Sequence, residues 1–314
     1  MYGRKKIFDY LKPKVSVAIP TVSITFPILN GINNTLGALK SIQSLNFPKD
    51  RLEVIVFDNG SFDGSAEIIK KTYPKVKIIK SKKNLGFAKA VNIACQKATG
   101  QYLFITNNDV ILERNCLRYL IDYLIHHSKT GIVGPKIMDL EKPREVLVKP
   151  LYYHFFLGTF TMGKVTKNPV IVDWVQGCGL CISRSLWQKL GGFDEGFFFI
   201  GEELDFCLRA KKLGYQITYY PKAILWHFGG ATVNKPEMRD FKYFEDYKSK
   251  FSLILKHANI AQIISAFFFQ FLIFTPYRSL ILRERSFLPM IKGLFWNLKN
   301  ISKSLHERKK NTNA

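Results

Sequence analysis

Three carboxylates fall within four positions at Glu202-Glu203-Leu204-Asp205, and Arg209 follows one helical turn later. A carboxylate held beside a reacting hydroxyl can take its proton as the oxygen attacks. Like charges so close repel one another. A helix N-terminus, and an i,i+4 pair between Asp205 and Arg209, would soften that cost. A solvated acidic helix start is the plainer alternative. The glycines and phenylalanines around it, from Gly191-Gly192-Phe193-Asp194-Glu195 through Phe197–Phe199 to Gly201, speak instead for an enclosed pocket. Other stretches offer ligand chemistry. Asp58-Asn59-Gly60-Ser61-Phe62-Asp63-Gly64 puts a carboxylate where it could accept hydrogen bonds from a base or a ribose hydroxyl, or simply makes a turn. Thr106-Asn107-Asn108-Asp109 supplies oxygen ligands suited to Mg²⁺ or Mn²⁺ on a diphosphate, or again a turn. Asn84-Leu85-Gly86-Phe87 opens a helix whose amides could face a phosphate or ribose, although a plain helix start has the same signature. His227, just before Gly229-Gly230, could ligate a metal or touch phosphate, or be structural. Cys178 and Cys181 have metal-ligand spacing but no companion pair, and read as part of a buried strand.

These residues need a frame. Apolar runs at 15–20, 53–58, 76–80 and 102–106 alternate with helical stretches at 33–44, 63–73 and 86–98. That alternation predicts βαβ units and a mostly parallel central sheet flanked by helices, an α/β architecture. Ligands in such sheets bind at the carboxyl ends of the strands, so Asp58 and Asp109 share one rim. Further on the pattern predicts a helix over 112–127, a strand over 171–182, a helix over 202–213, a short strand over 216–220 and a loop at 226–230. Residues 137–170 carry no clear period. From about residue 236 the composition changes, which divides the chain into a catalytic domain over 1–235 and a basic, apolar helical extension over 236–314.

Lys plus Arg number 47 against 24 Asp plus Glu, a net charge of +23 that calls for an anionic partner. No zinc-finger, RNA-binding or basic-zipper pattern is present, which speaks against nucleic acid. The basic residues interleave with aromatics late in the chain, beside long apolar runs, and favour an anionic membrane surface. Residues 260–274 are nearly all apolar. A helix of that length spans roughly 22 Å, short of the ~30 Å hydrocarbon core, so an interfacial, re-entrant or packed helix is expected. Phe287, Ile291, Leu294, Leu298, Ile301 and Leu305 then recur at helical spacing, with Lys292, Lys299 and Lys303 off the stripe. This is the pattern of a basic amphipathic helix in a membrane interface, or of a helix packed on the core. Arg308-Lys309-Lys310 would add attraction to anionic lipid. Five irregularly spaced cysteines argue against a disulfide framework. Met1–Phe8 is basic without a following apolar stretch, so it is not expected to be a secretory signal. A cytoplasmic protein, peripherally associated with the inner face of the cell membrane, is the expectation.

The order of these motifs resembles glycosyltransferase family 2 over about residues 14–233. The likeness rests on Val15–Thr21, Asp58–Ser65, Asn84-Leu-Gly-Phe, Asn107-Asn-Asp109, Gly191–Glu195 and Glu202-Glu-Leu-Asp205 with Arg209, then Gly214-Tyr215, Pro221 and His227. Within that family it is most similar to rhamnosyltransferase-type enzymes that build cell-surface glycans. The resemblance implies a GT-A fold and an inverting transfer assisted by a divalent cation, Mg²⁺ or Mn²⁺. A nucleotide-diphosphate sugar would be the donor, and a glycan or lipid-linked glycan the acceptor. It assigns Asp58 to the base or ribose and Asp109 to the last acid of a metal motif. Glu203 becomes the general base, flanked by Glu202 and Asp205, and His227 a metal or diphosphate ligand. Pro20 and Thr21 match the start of the donor loop, with Asn84, Gly86, Asn107 and Asn108 also on the donor side. Three positions depart from the pattern. Val22-Ser23 follow Pro20-Thr21 where Tyr-Asn is usual. Asn107 is neutral where an acid is usual. Glu203 is one methylene longer than the usual Asp, which leaves Asp205 a competitor for the base. A sugar nucleotidyltransferase is an alternative, although residues 21–32 carry no basic residue for its loop. A catalytically weak or inactive sugar-nucleotide-binding protein is another.

Overall fold

A computed structural model of the chain describes residues 19–229, 238–284 and 286–312. Its centre is a sheet that begins with four parallel strands: β1 (Val22–Ile28), β2 (Leu52–Asp58), β3 (Lys77–Lys80) and β4 (Tyr102–Thr106). They lie in the order β4-β1-β2-β3. Val22, Ile24, Phe26, Ile55, Val56, Leu103, Phe104 and Ile105 are fully buried, as expected of strands covered by helices on both faces. Those helices are α1 (Ile32–Gln43), α2 (Ser65–Thr72), α3 (Phe87–Gln96) and α4 (Cys116–His126).

Beyond β4 the sheet is mixed, where parallel pairing was expected to prevail. The strands there are β5 (Val110–Leu112), β6 (Thr130–Asp139), β7 (Val146–Val148), β10 (Val170–Val172), β11 (Gly179–Ser183) and β12 (Gln216–His227). β11 runs antiparallel to both β4 and β6, β12 runs parallel to β6, and β5 pairs antiparallel with the end of β12. The stretch 137–170, which had no readable period, holds the end of β6, then β7 and a separate hairpin of β8 (Leu151–His154) and β9 (Thr159–Met162). The strand expected over 171–182 is two strands separated by a loop at 173–178. The strand expected over 216–220 extends to His227, so Trp226 and His227 are strand residues.

The first strand is displaced from its expected place. Residues 15–18 of the predicted strand lie outside the described residues, and the strand that enters the sheet is Val22–Ile28. Val15-Ser-Val-Ala-Ile-Pro20 and Val22-Ser-Ile-Thr-Phe-Pro27 are near copies of one another, and the second is the one that pairs with β2.

Two further helices, α5 (Arg184–Leu190) and α6 (Glu202–Lys212), complete the catalytic layer. After residue 238 come α7 (Arg239–His257), α8 (Ile260–Phe269), α9 (Phe287–Lys299) and α10 (Ile301–Thr312). α8 opens with a capping box between Asn259 and Gln262. It continues through π-helical turns, so that the helical run is Ile260–Ile281. At 22 residues it is long and apolar enough, by length and composition, to cross a bilayer, and exceeds the expected 260–274. Tyr247, Phe251, Ile254, Ala258, Ala266 and Met290 form a small core of their own beneath these helices. All five cysteines are buried and free, Cys178 and Cys181 included.

Candidate active site

The donor side is built from the carboxyl ends of β1 and β2. Ile28 lies opposite Asp58, and the Asn59 N–H donates to Ile28 O at 2.8 Å. Asp58 Oδ1 accepts the Ser61 N–H at 2.8 Å. Asn30, with φ 61°, donates its N–H to Ser61 Oγ and accepts the Phe62 N–H on its side chain. The segment Pro27–Gly31 therefore borders Asp58. Pro20 and Thr21 do not. Thr21 exchanges hydrogen bonds with Gln101 at the amino end of β1. At about 3.3 Å per residue, that puts it roughly 20 Å from the rim where Asp58 lies, so Pro20 and Thr21 do not share that rim, and Pro27–Asn30 stand there instead.

Asn84 and Gly86 belong to the same rim as supports. Asn59 Nδ2 donates to Asn84 Oδ1 at 2.9 Å, and the Leu85 N–H donates to Asn59 Oδ1 at 2.8 Å. Gly86 has φ 83°, and a Cβ there would sit 2.6 Å from Phe198 O. The backbone that approaches Gly86 is the protein's own: the Phe87 N–H donates to Phe198 O at 2.7 Å. The first amide of α3 is thus already occupied, contrary to the phosphate reading of this turn.

Asn107–Asp109 join β4 to β5, and β5 pairs with the end of β12, so His227 meets them directly. His227 Nε2 lies 3.1 Å from Asp109 Oδ1 and 3.3 Å from Asn107 Nδ2. Burial opposes charging of this imidazole, but Cys178 and the Asp109 carboxylate outweigh it and raise its pKa to about 11. Asn107 Oδ1 is buried without a hydrogen-bond partner among the described residues, and Asp109 Oδ1, also buried, has the His227 imidazole beside it. An unsatisfied buried oxygen is costly, and an amide oxygen beside a carboxylate fits a hard divalent cation, which the His227 imidazole would join only on losing its proton. Among the described residues no three His, Cys, Asp or Glu side chains gather as a complete ligand set, so oxygens of the diphosphate and water would fill the remaining positions. Asn108 is not part of this set: its Nδ2 donates to Thr35 Oγ1 of α1 at 3.1 Å.

The acid cluster starts α6. Ile200 and Gly201 both have positive φ, 72° and 99°, which turns the chain sharply into the helix. Glu202 is buried, Glu203 only partly, and each has an Oε2 without a partner among the described residues. Burial raises the pKa of both, and that of Glu202 further through the neighbouring Glu203. Backbone N–H groups of Gly177 and Gly201 act against that rise at Glu203. The loop that touches Glu203 through Gly177 also carries Cys178 to His227. Glu203 and His227 are thereby touched by adjacent residues of one loop.

Asp205 is elsewhere. It is 1% exposed and bonded to Arg209 Nε and to His257 Nε2, both at 2.9 Å, with Lys256 at 3.6 Å. Burial alone would raise its pKa, but these cations hold the carboxyl well below the usual range. Arg209 in turn donates to Leu190 O and Gly192 O, and Lys256 pairs with Asp194. A cavity of about 980 Å³ opens on this side of α6, lined by Asn92, Trp187, Asp194, Asp205 and Arg209 among others, away from Asp58 and Asp109. Asp205 is corrected from candidate base to a structural anchor.

Sequence reasoning missed the contribution of α7. Glu245 accepts the Phe198 N–H and pairs with Lys248 at 2.5 Å, all buried. Ser249 packs on Gly201, where a Cβ would sit 3.0 Å from its own. Phe198 is therefore held from both sides, by Glu245 through its N–H and by Phe87 through its O. Charged residues on an amphipathic helix look solvated in sequence, and nothing at 245–249 signals their burial.

Residues 23–188 match the profile of glycosyl transferase family 2, a stretch that takes in Asp58 and Asp109. The chain belongs to this family. It is 27% identical over 214 residues to the probable glycosyltransferase YdaM of Bacillus subtilis, covering 66% of this chain but only half of that relative's length. It is 27% identical over 247 residues to the N-acetylglucosaminyl-diphospho-decaprenol L-rhamnosyltransferase of Mycobacterium tuberculosis, covering 69% of this chain and 78% of the relative. Among solved structures, a mannosyltransferase from Pyrobaculum calidifontis in complex with GDP-Man and Mn²⁺ superposes with a TM-score of 0.57 at 18% identity, over 91% of this chain and 76% of that one. The architecture is the GT-A fold, and this family 2 member is a glycosyltransferase.

Proposed function

We propose that this glycosyltransferase moves a sugar, with rhamnose or another deoxyhexose as candidates, from a nucleotide-diphosphate donor to a hydroxyl of a lipid-linked or cell-surface glycan, with inversion. The observation that carries the reading is Glu203: a carboxylate with a free oxygen and raised proton affinity, one loop away from Asp109 and His227. Asp58 accepts hydrogen bonds from the base or ribose at the carboxyl end of β2. Asp109 and the Asn107 amide oxygen would hold a divalent cation together with the diphosphate, and His227 would join them on giving up its proton. When bound, that cation would neutralise the charge that develops as the sugar–phosphate bond breaks. Glu203 takes the proton of the acceptor hydroxyl as its oxygen attacks the anomeric carbon. Glu202, whose proton affinity its neighbour raises further, steadies Glu203 through the side-chain hydrogen bond between them. One displacement with one base inverts the anomeric centre. The rhamnosyltransferase relative of Mycobacterium, at 27% identity, supports glycosyl transfer in general.

The extension supports work at the inner face of the cell membrane. Ile260, Ile264, Phe268, Leu272, Leu280 and Ile281 leave a long apolar stripe exposed on the Ile260–Ile281 helix, and Phe287, Leu288, Phe295 and Leu298 another on α9. The other side of the first helix is tied to the protein along its length, by Ser265 to Phe156 O, Gln270 to Leu157 O and Thr275 to the Tyr247 hydroxyl. A helix bonded in this way lies on the body of the protein and meets lipid with one face.

Asn107, neutral where family members carry an acid, favours a second reading as a catalytically weak sugar-nucleotide-binding protein. A panel of nucleotide sugars, followed by thermal shift with and without Mn²⁺ and then by release of nucleoside diphosphate, decides between them. Asp109→Ala is expected to lower donor affinity by at least about tenfold, the size seen even for groups that merely orient metal ligands. Unchanged donor affinity in chelator and in the variant would remove the cation from the account. Metal-dependent donor binding without turnover would select the second reading.

A further inference from the structure

The β8–β9 hairpin projects from the catalytic domain and ends in Phe156 and Leu157, exposed by 54% and 38%. An exposed aromatic and an exposed leucine at a turn are unusual unless they meet something apolar. Their turn is seated on the apolar helix. Ser265 Oγ donates to Phe156 O at 2.8 Å, and Gln270 Nε2 donates to Leu157 O at 2.8 Å and to Gly158 O at 3.3 Å. Gly158, at φ 61°, lets the turn close on α7 and α8, since a Cβ there would lie 2.8 Å from Ile254 Cδ1 and 3.4 Å from Ala266 Cβ. The N–H groups of Leu157 and Gly158 both donate to His154 O. The amides of Leu157 and Gly158 and the carbonyls of Phe156, Leu157 and Gly158 are thus satisfied internally, which lowers the cost of placing the turn against hydrocarbon. Phe160 and Met162 extend the exposed apolar surface along β9.

Charge selects the occupant. From Val146 to Val172 there is no Asp or Glu, while Lys149, Lys164 and Lys167 flank the hairpin. From Ala258 to Leu282 there is again no acid. An apolar tip with basic flanks, continuous with an apolar helix, fits an anionic lipid surface. We propose that the β8–β9 hairpin is a second lipid contact, by which the catalytic domain itself stands on the membrane beside the extension. The inference rests on the membrane reading of the extension and adds to it a fixed orientation. The hairpin is joined to the site through Asp173, which accepts the Tyr153 N–H at 2.7 Å and pairs with Lys211 of α6. The same segment runs on through Trp174 and Gln176 to Gly177, which touches Glu203. Two footings would hold the base at a set height above the bilayer, where the hydroxyl of a lipid-linked acceptor is presented.

The test uses the full chain and vesicles of phosphatidylcholine with about one third phosphatidylglycerol at low salt. The double variant Phe156→Ser/Leu157→Ser is expected to bind vesicles about tenfold more weakly with an unchanged thermal midpoint. In parallel, Leu157→Cys is labelled with an environment-sensitive fluorophore, the native cysteines being buried. The label is expected to shift to the blue on vesicle addition and to be quenched by brominated lipid. If the full chain binds vesicles while the double variant binds equally and the label at 157 stays in water, the hairpin is no footing and the extension alone docks. If the full chain ignores vesicles, the membrane reading falls and the hairpin with it. Self-association without vesicles that the double variant abolishes would reassign this face to a second copy of the chain.

Discussion

The two sides of α6 set acids of the same helix in opposite states. Glu202 and Glu203 occupy its first turn, each with a carboxylate oxygen free and no cation bonded to it among the described residues, and burial raises their proton affinity. Asp205, two residues on, is buried at least as deeply, yet Arg209, His257 and Lys256 surround it and keep it ionised. Burial is common to both sides, so the partners decide the outcome. A carboxylate that already holds two cations and a histidine N–H has no capacity left for an acceptor's proton. One with an empty oxygen and a raised pKa does. α7 serves both sides, since His257 and Lys256 cage Asp205 at one end while Glu245 and Ser249 brace the Phe198–Gly201 turn at the other.

The largest effect should come from Glu203→Gln, which keeps size and hydrogen bonding but deletes the proton acceptor. Turnover is expected to fall by about 10²–10⁴-fold with donor affinity nearly unchanged, read by steady-state kinetics and thermal shift. Near-normal kcat in that variant would dissolve the distinction between the two sides. Asp205→Asn should act on the fold instead. Removing one partner of a buried ion network costs about 3–5 kcal/mol, so its thermal midpoint should drop by many degrees while the folded fraction retains most of its kcat. The Asp205 contribution also has a sign in pH. Its folded pKa is depressed, so its stabilisation is present above the ordinary aspartate range and lost as pH falls through the depressed value.

The smallest effect sharpens the contrast. Glu202 has a raised folded pKa, so its neutral form favours the fold. Its contribution is present below the ordinary glutamate range and lost as pH rises toward the raised value. Glu202→Gln fixes that neutral state and should raise the thermal midpoint slightly, with a gain that grows from about pH 5 to pH 8. A loss of stability in that window would mean that the carboxylate, not the acid, is the favoured form.

Much of this arrangement was readable in the chain. The parallel half-sheet followed from apolar runs alternating with helical ones, and Asp58 and Asp109 fell on its rim because each ends or follows such a run. The first strand was misplaced because Val15–Pro20 and Val22–Pro27 are near duplicates, and periodicity cannot say which copy finds a partner strand. Residues 137–170 were opaque because β7, β8 and β9 are only three or four residues long, too short for an alternation to show. Asp205 could not be told from Glu203 by spacing, since its cage is completed by Lys256 and His257, some fifty residues away in sequence. Glu245 was hidden for the same reason. The helical run to Ile281 was underestimated because Pro276 and Arg278 interrupt its apolar pattern without ending the helix.

The most direct measurement is a carboxyl-carbon NMR titration of the full chain, with Glu203→Gln and Asp205→Asn used to assign the two signals. The expected result is a Glu202–Glu203 pair that titrates above the ordinary glutamate range and an Asp205 that stays ionised below the ordinary aspartate range. An Asp205 that titrates high, beside a Glu203 that is ionised throughout, would contradict the assignment of the base and move the chemistry to the other side of α6.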